Sequence, residues 1–342
     1  MYTFLSVLAL VLPGRSNAKV QRAGVNIAGF DFGVDTNGNS DFSDMVIPLA
    51  SQGGPDGIGQ MQHFASIGLN IFRLPVQWQY LTNNVLGGSL DSSNVAVYDE
   101  LVQGCLDTGA LCIIDVHNYA RWYGGIVGQS GVTTEDLSSL WGQLGAKYAS
   151  QSNVVMGIMN EPHDLVTSDW ATTVQACVTA IRNAGANDQI ILLPGNDYDA
   201  VGGYAEDSAP ALAGITNPDG NNANLIYDVH QYLDGPNHSG VLTDCTSNGV
   251  DNLQDLANWL RSNGRVALLS ETGGGNTASC DEYVCAELDW MNYNADVYLS
   301  WVGWAAGSFD ATYNLTETPT YADGKWTDTS LVTSCVAGKF TS

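Results

Sequence analysis

The chain is poor in positive charge. Its 342 residues contain 11 Lys and Arg against 36 Asp and Glu, so the formal net charge is −25 at pH 7. Eleven cations are too few to build a basic surface that would release many phosphate counterions. We therefore expect neither nucleic acid nor an anionic membrane as a partner.

Long apolar runs and linkers are also scarce. Beyond residue 18 no segment approaches the roughly 20 apolar residues that cross a membrane, and no Gly/Ser/Pro-rich tract divides the chain. Near the start, FLSVLALVL at 4–12 has the length of a signal-peptide core, and small residues follow at 16–18. We predict a signal peptide at 1–18, secretion, and one monomeric domain at 19–342. The alternative is a buried N-terminal segment, since no Lys or Arg precedes the apolar run.

The seven cysteines include no CxxC pair, which argues for structural disulfides in an oxidising compartment rather than for redox or metal chemistry. Other connectivities stay open, but the pairs we predict are Cys105–Cys112, Cys245–Cys280 and Cys285–Cys335. Cys177 is left over within a helical pattern, where a buried free thiol is the simplest interpretation. The sequons at Asn237 and Asn314 are consistent with surface glycosylation.

Short apolar runs alternate with segments of helical periodicity along the chain. The predicted strands are Gly24–Ala28, Ile71–Leu74, Leu111–Val116, Val154–Met159, Ile190–Leu193, Leu225–Val229, Val266–Leu269 and Tyr298–Val302. The helices predicted between them are Gly57–Ile67, Val95–Thr108, Thr134–Ala149, Ser168–Ala184, Asn252–Asn263 and Glu282–Asn294. Eight such units predict an α/β fold, a single (β/α)₈ TIM barrel.

Polar and aromatic residues follow six of these strands where each strand ends. In a barrel those positions share one rim. The groups are Arg73-Leu74-Pro75, His117-Asn118-Tyr119, Asn160-Glu161-Pro162-His163, His230-Gln231-Tyr232, Glu271-Thr272-Gly273 and Trp304. Burying so many polar groups is unfavourable unless they are paired or used in chemistry. Two acids facing one cleft, Glu161 and Glu271, are the arrangement that glycoside hydrolysis requires.

The motifs at these positions resemble a known family. They include IFRLPVQWQYL at 71–81, IIDVHNYARW at 113–122, GIMNEPHD at 157–164, NLIYDVHQYLD at 224–234 and SETGGGN at 270–276. Together they resemble the secreted fungal endo-β-1,4-glucanases of glycoside hydrolase family five, from about residue 20 onward. The resemblance implies a retaining hydrolase of β-1,4-glucan with no cofactor and no metal.

Site roles also follow from the resemblance. Glu161 would be the acid/base and Glu271 the nucleophile, kept ionised by Arg73. Asn160 would bind the 2-hydroxyl of the sugar, Tyr232 would donate to the nucleophile, and Trp304 would stack beneath the ring. The other residues expected to contact substrate are His117, Asn118, His230, Trp78 and Trp122. Unlike many relatives, the chain shows no linker to a carbohydrate-binding module, so none is expected.

Three other functions stay open from the sequence. A mannanase or xyloglucanase could share the same catalytic core. A non-catalytic glycan-binding barrel is disfavoured because both acids are present. The repeated Asp-Val-His at 115–117 and 228–230 suggests a metal-dependent hydrolase, but the five histidines form no HxH or HExxH motif.

Overall fold

The structure is a computed structural model that describes residues 19–235 and 240–341. The predicted signal peptide at 1–18 and the sequon at Asn237 lie outside the described residues.

A closed barrel of eight parallel strands forms the centre of the structure, as the alternation of strands and helices predicted. We number its strands β1 to β8 in chain order: Arg22–Ala28, Ile71–Val76, Leu111–Val116, Val154–Gly157, Ile191–Pro194, Leu225–Tyr232, Ala267–Gly273 and Tyr298–Gly307. Each strand pairs with its sequence neighbours, and β1 closes the barrel on β8 through pairs that run from Arg22↔Ser300 to Ala28↔Gly307.

Helices connect the strands around the outside. They are Gly57–Ser66, Trp78–Leu81, Ser92–Leu106, Thr134–Tyr148, Thr167–Asn183, Ser208–Leu212, Val250–Asn263, Ala278–Tyr293 and Gly338–Thr341, numbered α1 to α9. A π-helical turn at Val332–Val336 precedes α9. Two minor sheets lie in the loops, formed by Arg121–Trp122, Gly125–Val127 and Gly131–Val132, and by Thr320–Ala322 and Lys325–Thr327. None of the helices in the described ranges has the length and apolarity needed to cross a bilayer.

The apolar core has two parts. Inside the barrel, one side chain from each of seven strands forms a packed layer: Ile71, Ile113, Val155, Leu192, Ile226, Leu268 and Val302. A larger cluster lies between the strands and the surrounding helices. Because strands of this barrel are buried on both faces, they appear in the sequence as continuous apolar runs.

The strand predictions located all eight strands, but they ended β2 and β5 to β8 too early and ended β4 at Met159 instead of Gly157. Strands β6, β7 and β8 continue to Tyr232, Gly273 and Gly307, past the end of the apolar run. Backbone pairing does not depend on side-chain polarity, so the ladder extends into the polar residues of the rim. The longer strands carry His230 and Glu271 on buried backbone, and the pairing of β7 shifts register between Leu269 and Glu271.

Local signals for the helices and disulfides are confirmed. Helix α4 begins with a capping box in which Thr133 and Asp136 bond each other's backbone N–H groups. The three predicted disulfides are all present: Cys105–Cys112, Cys245–Cys280 and Cys285–Cys335. Cys177 is a buried free thiol, and burial raises its pKa well above the ordinary value.

Candidate active site

The carboxyl ends of the strands surround a cavity of about 670 Å³. Glu161 follows β4, His230 and Tyr232 end β6, and all three line this cavity. Glu271, on β7, lies beside them because Tyr232 donates a hydrogen bond to its Oε2 at 2.7 Å. The rim predicted from the sequence is therefore assembled at one end of the barrel.

Glu271 is buried and accepts one strong donor on each carboxyl oxygen. Arg73 Nη1 lies 2.5 Å from Oε1, and the Tyr232 hydroxyl lies 2.7 Å from Oε2. Two donors on two oxygens fit an ionised carboxylate, which can only accept. The contacts of Arg73 and Tyr232 agree with those that the family resemblance implied.

Arg73 has no solvent-exposed surface and is the centre of a polar network below Glu271. Its Nη1 also donates to Asn26, its Nη2 donates to Asn160 Oδ1 at 2.7 Å, and the same nitrogen lies 3.1 Å from Asp115. Burial alone would lower the pKa of Arg73, but the surrounding carboxylates Asp115 and Glu271 raise it further than burial lowers it. Arg73 therefore holds Glu271 from the protein interior, where it cannot reach a sugar directly.

Glu161 has a different environment, although it is the same residue type. Its side chain is 18 % exposed, and burial in the cleft raises its pKa to about 7. No arginine or lysine forms an ion pair with it among the described residues. A carboxyl group of this kind is protonated at mildly acidic pH and can donate a proton.

His230 connects the two sides of the site. Its Nδ1 lies 2.9 Å from Glu161 Oε1 and 3.6 Å from Glu271 Oε2, and its Nε2 lies 2.9 Å from the Ser270 hydroxyl. Burial lowers the pKa of His230 to about 4. The ring is therefore neutral over most of the pH range. It carries one proton, on the nitrogen that faces either Glu161 or Ser270.

One carboxyl oxygen of Glu161, one of Glu271 and one ring nitrogen of His230 lie within 4.8 Å of one another. Three such ligand atoms could hold a metal ion. However, Arg73 already neutralises Glu271, and both ring nitrogens of His230 have hydrogen-bond partners. This donor set fits proton transfer better than metal coordination.

A cluster of aromatic rings lies at the end of β8, beside the polar network of Arg73 and Asp115. Trp304, at 9 % exposure, stacks on the His117 ring with centroids 5.4 Å apart and donates to the Tyr313 hydroxyl. The peptide bond after Trp304 is cis. His117 in turn bonds Asp115 at 2.8 Å; although burial opposes protonation, this contact raises the pKa of His117.

Two of the residues expected to contact substrate are instead buried in the protein. Trp78 has no exposed surface and packs edge-on against Trp122, at 5.1 Å between centroids. Asn118 is also fully buried. Its side-chain oxygen accepts from the backbone N–H of Trp78, and its side-chain nitrogen donates to Gln79. The expectation that Trp78 and Asn118 bind sugar is therefore wrong, because their side chains stabilise the loop. Trp122, at 8 % exposure, stays a prediction.

The sequence analysis missed several residues of the site. Asp115 bonds both Arg73 and His117, and its place in the Asp-Val-His motif could have indicated this role. Tyr198 lines the cavity, and so does Tyr119, which the predicted rim included without a role. Asp199 accepts a hydrogen bond from the backbone N–H of Glu161, a long-range contact that no local motif indicates.

Comparison with known proteins agrees with this geometry. Residues 36–310 match the family described as Cellulase (glycosyl hydrolase family 5). The chain is 58 % identical to Endoglucanase EG-II of Hypocrea jecorina over 331 residues, covering 95 % of this chain and 79 % of that protein. It is 44 % identical to Endoglucanase 1 of Saitozyma flava, covering 92 % of each chain.

A solved structure extends the similarity to three dimensions. The crystal structure of Cel5A (EG2) from Hypocrea jecorina matches with a TM-score of 0.92 and 58 % identity, over 94 % of this chain and 99 % of that one. The fold, the paired glutamates and the sequence similarity agree with one another. This chain therefore belongs to the cellulase family, glycosyl hydrolase family 5.

Proposed function

We propose that the protein hydrolyses internal β-1,4-glucosidic bonds of a glucan with retention of anomeric configuration. Glu161 is the acid/base and Glu271 is the nucleophile. Two relatives that align with most of the chain are named endoglucanases, which supports this substrate class. The observation that carries the mechanism is the spacing of the two glutamates.

The carboxyl oxygens of Glu161 and Glu271 approach within 4.8 Å. Retaining glycosidases keep their carboxyl groups about 5 to 5.5 Å apart, whereas inverting enzymes need about 6.5 Å or more to admit a water molecule. The short separation supports direct attack by one glutamate on the sugar.

In the first step Glu271 attacks the anomeric carbon and forms a glycosyl ester. The bond from that carbon to the leaving oxygen breaks, and the oxygen takes the proton of Glu161. In the second step a water molecule gives a proton to Glu161 and attacks the same carbon, which releases Glu271. Glu161 is then protonated again for the next turnover.

The neighbouring residues support these steps. Asn160 Nδ2 is buried without a hydrogen-bond partner among the described residues, whereas its Oδ1 accepts from Arg73. A buried unpaired donor beside the nucleophile fits the role of binding the sugar 2-hydroxyl. Trp304 offers an apolar edge for the C–H groups of the ring.

The net charge and the disulfides of the chain are consistent with an uncharged polysaccharide substrate and with action outside the cell. A net charge of −25 disfavours polyanionic partners, and three disulfides favour an oxidising compartment. We propose secretion and action as a monomer.

The stereochemistry and substrate can be tested directly. Proton NMR of early products from cellopentaose should show the β-anomer first, whereas the α-anomer would indicate inversion. Side-by-side digestion of β-glucan, xyloglucan, mannan and xylan should release reducing ends fastest from β-glucan. Binding without release would favour a non-catalytic protein, and loss of turnover with a chelator would favour a metal site.

The roles of the two acids can be separated with azide. With an aryl β-cellobioside, Glu161→Ala plus azide should yield the β-glycosyl azide, because azide attacks the covalent intermediate. Glu271→Ala plus azide should yield the α-azide, because no intermediate forms. Glu206→Gln, at an exposed carboxyl away from these contacts, is the matched control and should keep activity. The same azide anomer from both alanine variants would refute the assignment.

A further inference from the structure

The turn after β5 contains a buried carboxylate that contacts the backbone of Glu161. Asp199 has no exposed surface. Its Oδ1 accepts from the Gly195 N–H at 2.5 Å, and its Oδ2 accepts from the Glu161 N–H at 2.9 Å. Both oxygens of Asp199 are therefore used to hold main-chain groups.

The backbone that Asp199 holds is strained. Glu161 lies at φ +45°, in the left-handed region, which is unfavourable for a residue that has a side chain. Strand β4 has ended four residues earlier, at Gly157, so no strand neighbour holds the N–H of Glu161. Asp199 supplies the missing acceptor.

The turn is itself fixed on both sides of the site. The Tyr198 N–H donates to the carbonyl of Pro162 at 3.0 Å, next to Glu161. The Val201 N–H donates to the carbonyl of His230, also at 3.0 Å. One turn thus connects the backbone of Glu161 with the backbone of the histidine that bonds its carboxyl group.

The turn has an unusual conformation that depends on these contacts. Asp197, Tyr198 and Asp199 have φ values of 53°, 59° and 56°, and none of them is glycine. The Tyr198 ring stacks on His163 at 4.3 Å between centroids, and His163 bonds the carbonyl of Thr36. A strained segment of this kind persists only where surrounding contacts hold it, and such segments are frequent at active sites.

We propose that Asp199 is a positioning residue for the catalytic acid: it holds the Glu161 backbone in the left-handed conformation that directs the carboxyl group toward the leaving oxygen. This inference rests on the proposed acid/base role of Glu161. Asp199 has no exposed surface and its carboxyl oxygens accept from backbone N–H groups, so it would act by holding the Glu161 backbone and not on the reacting atoms.

The charges around both groups decide how the pH profile will respond. Burial and the nearby Asp228 raise the pKa of Asp199. The Glu161 carboxyl interacts through space with His117, Arg73, Asp115 and His163. His230 bonds it directly, and the repulsion between Glu161 and Asp199 raises the pKa of Asp199. Removing the Asp199 charge would therefore also favour a lower pKa of Glu161. If Glu161 is released into solvent, less burial will move its pKa back toward 4.5.

The test uses substrates that differ in their need for an acid. Asp199→Asn keeps the shape but replaces one acceptor oxygen with an amide that cannot accept. On cellopentaose, kcat/KM should fall about 10- to 100-fold because the proton donor is misplaced. On 2,4-dinitrophenyl β-cellobioside, whose leaving group departs without a proton, kcat/KM should change by no more than about 3-fold. The alkaline limb of the cellopentaose profile should shift to lower pH.

Asp207→Asn is the matched control. Asp207 lies in the same connection, is exposed, and bonds Thr167 rather than Glu161. It should leave both rates and the pH profile unchanged. Thermal unfolding of both variants will show whether they are folded at the assay temperature, and Asp199→Ser offers a smaller acceptor if Asp199→Asn does not fold.

Equal loss on both substrates with an unchanged alkaline limb would assign Asp199 a structural role only and overturn the proposal. No loss on either would also overturn it. Glu161→Ala measured in parallel separates this outcome from failure of the proposed function. If Glu161→Ala shows no dependence on the leaving group, the acid assignment itself is wrong.

Discussion

At the scale of single residues, the two glutamates differ because of their neighbours. Glu271 accepts from Arg73 and Tyr232 and so carries charge, whereas Glu161 faces a neutral His230 and a partly buried cleft. These two environments support the proposed roles, with Glu271 as the nucleophile and Glu161 as the proton donor. The rim positions predicted both residues and the family resemblance implied their roles, whereas the contacts supply the physical reason for the difference.

Activity should fall on the alkaline side as Glu161 loses its proton. Its pKa of about 7 places the alkaline limb of kcat/KM on cellopentaose near pH 7, with protonated enzyme active below it. A pH series from 3 to 9 measures this limb. The same series with 2,4-dinitrophenyl β-cellobioside should lack the limb, and a limb below pH 5 on cellopentaose would contradict the assignment.

Two tryptophans that were expected to act alike should respond differently to substitution. Trp304→Ala removes an edge of the cleft and should lower kcat/KM on cellopentaose roughly 5- to 30-fold, equivalent to about 1–2 kcal/mol of lost contact. Trp78→Ala leaves a cavity under Trp122 and should lower the free energy of unfolding by about 3–5 kcal/mol.

Urea unfolding and steady-state kinetics on both tryptophan variants separate these effects. Trp78→Phe is the milder companion of Trp78→Ala, because it keeps most of the buried volume. If Trp78→Ala lost substrate affinity with unchanged stability, its burial would have been misinterpreted.

At the scale of elements, sequence signals worked where the cause is local. Helix α4 was indicated by its hydroxyl and acidic residues at the N-terminus, and the strands by their apolar runs. The turn at Asp197–Asp199 was not, because three left-handed residues without glycine leave no local signal. Its conformation depends on contacts with residues far away in sequence.

The disulfides should stabilise the fold according to the length of chain each one closes. Cys285–Cys335 links α8 to the turn before α9 with a sequence separation of 50, against 7 for Cys105–Cys112. Loop entropy gives roughly 4 kcal/mol for the first and about 2.4 kcal/mol for the second. Urea unfolding of the two paired Cys→Ala variants should therefore show the larger loss without Cys285–Cys335. The reverse order would contradict the loop-length explanation.

At the scale of the whole molecule, buried acids make stability depend on pH. Burial raises the pKa of Asp228 and of Glu287 to about 7, and raises that of Glu317 well above the ordinary value. The folded state therefore holds protons that the unfolded chain has released above pH 4.5. Stability from these groups is complete below about pH 4 and is lost as pH rises through 7.

His230 acts in the opposite direction. Its pKa is about 4 in the folded state, against 6.5 for an unperturbed histidine. Between these two values the unfolded chain binds a proton that the folded state does not, which lowers the free energy of unfolding. The effect of His230 on stability cancels that of one buried acid. The other buried acids are not cancelled, so the free energy of unfolding should be greatest near pH 4 to 5. The melting temperature at pH 5 should exceed that at pH 8 by at least a few degrees.

Glu317→Gln provides the control for this pH dependence. Neither carboxyl oxygen of Glu317 has a hydrogen-bond partner among the described residues, so the amide should be tolerated at low pH. The variant should lose less stability than the parent between pH 5 and 8. If the melting temperature of the variant fell by the same amount between pH 5 and 8 as that of the parent, Glu317 would not titrate in this range.

The sequence alone determined the barrel and the two acids at its rim, because apolar periodicity and strand-end position are properties of neighbouring residues. Tertiary structure decided the rest: which disulfide pairs form, which tryptophan is fully buried, and which distant carboxyl group accepts from the Glu161 N–H. Those outcomes depend on burial and on hydrogen bonds between residues up to 198 positions apart, as between Arg73 and Glu271. Burial and pairing at that range exist only after the chain has closed the barrel.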